Sequence, residues 1–96
     1  MPETLSECQR AALDRLIDIA QGGTGQSRRV AGFLLAWWNA EESGGFDLTD
    51  LWSVDAAIAE DMVTVFALVA RRHDYPDTLG YARQFQAILH AWRPSC

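Results

Sequence analysis

Apolar residues recur along most of this chain at intervals of three and four, and no segment alternates with period two, so the pattern predicts helices and no sheet. The first helix is expected over about residues 5–21. Leu5, Cys8, Ala12, Leu16 and Ile19 form its stripe, widened by Leu13, Ile17 and Ala20, and Thr4 with Glu7 gives a capping-box spacing ahead of it. Gly22 and Gly23 should end it by taking the left-handed conformation common after helices. A second helix, about residues 28–42 and capped by Thr24 or Ser27, stops before Ser43, Gly44 and Gly45. Its apolar positions Val30, Ala31, Phe33, Leu34, Trp37, Trp38 and Ala40 cover about half the circumference, with Leu35 outside that arc.

The segment GGFDLTDLWSVD reads as a loop holding one short helical turn, Asp50 to Trp52, capped by Thr49, with Ser53 able to cap the next helix. This third helix is expected over about residues 54–72. Val54, Ile58, Met62, Val65 and Val69 share one line, while Val63, Phe66, Ala67 and Leu68 leave little polar surface elsewhere, which predicts that this helix is the most buried. Arg71, Arg72 and His73 suit its negative end, and the Tyr75-Pro76 step stops it. The last helix, about residues 80–92, gathers Tyr81, Phe85, Ile88, Leu89 and Trp92 on one face and should be an outer one. The expected fold class is all-α: one compact single domain of four helices plus one short helical turn, covering residues 1–96.

Composition supports that reading. With 96 residues, 49% of them hydrophobic, the chain has material for one core and too little for two. The only cysteines, Cys8 and Cys96, lie near opposite ends and make no disulfide framework, and neither a leader nor a spanning apolar run is visible, so a cytoplasmic protein is expected. All eight basic residues are arginine, and the formal net charge is -5. Between Val30 and Ala70 stand Glu41, Glu42, Asp47, Asp50, Asp55, Glu60 and Asp61 with no base among them. Such a chain is repelled by nucleic acid and suits a basic protein partner, or the nucleic-acid site of another protein.

Candidate chemistry is sparse. GGTGQSRRV lacks the spacing and the lysine of a phosphate-binding loop. Arg28 and Arg29 at a helix N-terminus could still hold an anion, although a plain joint between two helices is the simpler account. Arginines in a first turn oppose the helix dipole, so acidic partners are expected for them. Asp61 falls inside the apolar face of the third helix, where an arginine or a backbone cap should meet it. The acids match no calcium loop, His73 and His90 are too far apart to share a metal on one helix, and no nucleophile stands beside a base. No metal, no cofactor and no enzyme activity are therefore expected.

What remains is binding. Adjacent Trp37 and Trp38 point about 100° apart, so one core rarely hides both. Trp38 and Leu35 are the expected contact of a twofold homodimer, the alternative being a monomer whose excess apolar surface is wrapped by the first helix and the Phe46 loop. Glu41, Glu42, Asp47, Asp50 and Asp55 would lie together on one face if the protein mimics nucleic acid. The alternative is a nucleic-acid-binding accessory protein using Arg28, Arg29, Arg71 and Arg72.

Over GGTGQSRRVAGFLLAWWNAEESGGFDLTDLW, YPDTLGY and AWRP, from Gly22 to Pro94, the chain resembles a family of small uncharacterised proteobacterial proteins carried on plasmids, integrative elements and prophages. The resemblance implies a setting, that of an accessory protein of a mobile element, and no catalytic residue. By analogy with other small acidic proteins of such elements, it suggests a stoichiometric inhibitor of host defence, anti-CRISPR inhibitors among them.

Overall fold

The computed structural model describes residues 5–93. Helix α1 spans Glu7–Ala20, α2 Gly25–Ser43, α3 Ala56–Arg71 and α4 Ala82–Trp92; a 3₁₀ helix, Leu48–Ser53, precedes α3 and a π-helical turn, Asp77–Tyr81, precedes α4. No strand occurs among the described residues, and the domain is all-α.

Each boundary has a local cause. Thr4, Pro94 and Cys96 lie outside the described residues, and α1 is instead capped by Ser6, whose Oγ accepts from the Gln9 amide at 3.1 Å while the Gln9 side chain accepts from the Ser6 amide at 3.0 Å. After α1, Gly22 and Gly23 do not adopt positive φ as expected. Gly22 is required by proximity: a Cβ there would stand 2.8 Å from the hydroxyl of buried Ser27. Thr24 caps α2, accepting from the Ser27 amide at 3.0 Å, so the helix starts three residues before the expected Arg28.

Helix α2 is not continuous. Asn39 is extended within it (φ -161, ψ 83), and its Oδ1 accepts from the Glu42 amide at 3.3 Å, capping one further turn. Gly44 closes that turn at φ 95, where an L side chain would be strained.

The packing centres on α1, which lies extensively against both α2 and α3; α4 covers α2 and touches α1, and α2 meets α3 only sparingly. On α1, Ala12, Leu13, Leu16, Ile17 and Ala20 are buried, while Cys8 falls off that arc and is exposed. The expectation that α3 is the most buried helix is therefore wrong. Only Met62, Val65 and Leu68 are buried on α3, because α1 covers one side of it and no long element covers the other.

The ends of the helices are tied by polar contacts. The Trp92 indole donates to the Ala20 carbonyl at 2.6 Å, and the Tyr81 hydroxyl donates to Asp14 at 3.1 Å while accepting from Arg10 at 3.0 Å. Burial, and then the Asp14 carboxylate, push the Tyr81 phenol above its ordinary value.

Candidate interaction surface

The chain returns from the end of α2 through Phe46, whose ring meets Phe33 edge-on at 5.2 Å between centroids. Asp47 then caps the 3₁₀ helix. Its Oδ1 accepts from both the Thr49 amide (2.9 Å) and the Thr49 hydroxyl (2.8 Å), which holds its carboxyl below the usual range. The expected cap, Thr49, is thus the donor, and the turn begins two residues earlier than expected.

Pinned at Phe46 and Asp47, the 3₁₀ helix lies beside α2 and α3 and forms with them a wholly apolar groove of about 190 Å³, lined by Phe33, Leu48, Leu51, Met62, Val63 and Phe66. Of the lining residues Leu48 is 65% exposed and Val63 and Phe66 59% each, and Trp52, on the same 3₁₀ helix, is 83% exposed. Contiguous exposed apolar surface makes this side the candidate for binding. At the margin, Arg29 reaches Asp50 at 3.8 Å, and Gln26 accepts from the Asp55 amide at 2.6 Å.

Several residues singled out in the sequence lie elsewhere. Leu35 is fully buried, so it is not available at a surface; α2 is covered on two sides, by α1 and α4, and its buried arc is wider than one stripe. Trp38 is half-buried, its ring edge-on to Phe85 at 5.8 Å, and Trp37 meets the same ring at 5.8 Å while its indole donates to the Asp74 carbonyl at 3.3 Å. One core phenylalanine therefore anchors both tryptophans; exposed Tyr75 lines a pocket with them, whereas exposed Leu48, Val63 and Phe66 line the apolar groove.

Nor do the acids converge. Asp50 and Asp55 sit against Arg29 and Gln26 at the start of α2, whereas Glu41 and Glu42 follow its kink, roughly 18 Å further along the axis. The arginines are divided likewise. Arg28 and Arg29 stand near the beginning of α3, through the contact of Gln26 with Asp55, and Arg71 and Arg72 at its end, on the order of 20 Å away. Arg29 and Arg72 each have a carboxylate partner, Asp50 and Asp74.

The glycine loop is a joint. Thr24 takes the Ser27 amide, its hydroxyl also bonds the Ser27 hydroxyl at 2.9 Å, and the Arg29 guanidinium, which reaches back beside Gly25, is paired with Asp50. Asp61 meets the arginine expected of it. Arg15 binds it through two bonds of 2.8 Å, which join α1 to α3. Among the described residues no three metal-ligating side chains gather, and no helix is long and apolar enough to cross a membrane.

A family pattern matches residues 10–93. The chain belongs to a family of unknown function, DUF7673. The match starts inside α1 rather than at Gly22, in keeping with the place of that helix at the centre of the packing. No curated protein and no solved structure matches the chain.

Proposed function

We propose that this protein is a non-enzymatic interaction module that works stoichiometrically, by occupying the surface of another protein. The observation that carries this reading is the apolar groove lined by the exposed Leu48, Val63 and Phe66, with exposed Trp52 on the same 3₁₀ helix as Leu48. In the setting suggested by its sequence, a cytoplasmic accessory protein of a mobile element, the partner is a host or element protein, and inhibition of host defence is the role that such a binder fits. Contact through apolar surface is better supported than mimicry of nucleic acid, since Asp50 and Asp55 lie at one end of α2 and Glu41 and Glu42 at the other. The separated arginine pairs lend no support to direct nucleic-acid binding.

Affinity capture from the native host, with the wild type beside Leu48→Asp/Trp52→Ala, tests the reading. Both side chains are exposed, so the variant should keep its helical circular dichroism. A partner retained by the wild type and lost by the variant is expected, with no shift of plasmid DNA at low salt. Equal retention by both proteins, or a DNA shift, would overturn it.

A further inference from the structure

On α3 the solvent side carries Glu60, Val63, Phe66, Ala67, Ala70 and Arg71, all exposed. The apolar four fall at i, i+3, i+4 and i+7, the spacing by which a helix packs against another, yet no long element lies over them. At 100° per residue Val63, Ala67 and Ala70 form a seam about 60° wide, with Glu60 and Arg71 along one flank and Phe66 along the other.

The stripe has a direction. From its amino end it runs acid, large, large, small, small, base. We propose that it is occupied by the α3 helix of a second copy, antiparallel to the first, about a twofold axis passing between Phe66 and Ala67. In that arrangement Val63 stands over Ala70 of the other copy, a large side chain over a small one, and the two Phe66 rings meet across the axis on the flank they share. Like flanks of two helices meet only when the helices run in opposite directions, and Glu60 then faces the end that bears Arg71, twice by symmetry. A parallel pair would set Val63 against Val63 and leave Glu60 and Arg71 facing the Phe66 flank of the other copy. The 3₁₀ helix runs along the Phe66 flank of this seam, where Leu48 and Leu51 line one groove with Val63 and Phe66.

This inference rests on reading the α3 surface as one that binds protein. Light scattering of the full chain at micromolar concentration should give a dimer mass. Glu60→Arg and Arg71→Glu should each weaken the dimer on the order of tenfold, because each puts like charges together at both ends of the seam. An equimolar mixture of the two variants should restore it, since every end then pairs opposite charges. Phe66→Asp, at a position exposed enough to leave folding intact, should weaken it on the order of a hundredfold.

A monomeric wild type, charge variants that dimerise unchanged, or a mixture that stays monomeric would each overturn the antiparallel pair. A monomer whose capture of a partner still depends on Leu48 and Trp52 would remove the dimer and leave the interaction module standing. A dimer with the expected charge dependence but no such capture would do the reverse.

Discussion

Helices α1 and α3 are of similar length and lie against each other, but they use their apolar residues in opposite ways. α1 carries Arg10, Asp14, Arg15 and Asp18 and is nevertheless enclosed between α2 and α3, burying five residues. α3 runs uncharged from Met62 to Ala70 and buries three. The more apolar helix is the more exposed one. Apolar content measures how much surface a helix must hide, whereas its place in the packing decides how much the fold hides for it, and on α3 the difference stays exposed to solvent.

The contrast breaks most visibly at the centre. Leu16 on α1 is fully buried, so Leu16→Ala should cost about 2–5 kcal/mol through lost transfer energy and a cavity that α2 and α3 cannot both collapse into. For a domain of this size the thermal midpoint should fall on the order of 10 °C or more. A fall of only a degree or two would mean that α1 is not the hub of the core.

A smaller effect sits where the polar edge of α1 is tied to the start of α4. Tyr81→Phe keeps the buried ring but deletes the bonds to Asp14 and Arg10, and at neutral pH should cost about 1 kcal/mol. Its pH dependence carries the sharper sign. Because the folded phenol titrates above the unfolded one, the wild type holds this contribution at all pH values below the unfolded pKa, about 10, and loses it as pH rises through the folded pKa. Urea titrations should therefore show the wild type losing stability above about pH 10 more steeply than Tyr81→Phe. Parallel curves for the two proteins would contradict the raised pKa.

Local signals in the sequence are reliable where the structure uses them locally. Four helices and a short turn arise from periodicity, and Asp61 inside an apolar stripe requires the arginine it has. Boundaries move where two residues compete to cap: Thr24 rather than Ser27 before α2 and Asp47 rather than Thr49 before the 3₁₀ helix. The break at Asn39 has no periodic signature, since the apolar pattern continues through it. The candidate site is the least legible part. Leu35 lies outside one arc of α2 yet inside a core formed on two sides of it. Val63 and Phe66 belong to an apolar circumference that periodicity assigns to the core, because nothing in a sequence says which side of an apolar helix will be left uncovered.

The smallest expected effect is the one that most sharpens the comparison. Val63 is a β-branched residue in the middle of α3, 59% exposed, so truncating it to alanine removes little buried surface, worth about 0.5 kcal/mol. Alanine in turn favours the helix by about the same amount, because valine loses side-chain freedom against the preceding turn. The two contributions oppose each other, and Val63→Ala should leave the monomer within about 0.5 kcal/mol of the wild type. The measurement belongs at the lowest usable protein concentration, since any partner that binds only the folded state would add its own stabilisation to the wild type. A loss approaching that of Leu16→Ala under those conditions would place Val63 in the core and remove the free face of α3. A neutral result at low concentration, with a midpoint gap between the two proteins that opens as concentration rises, would show that this valine serves association rather than folding.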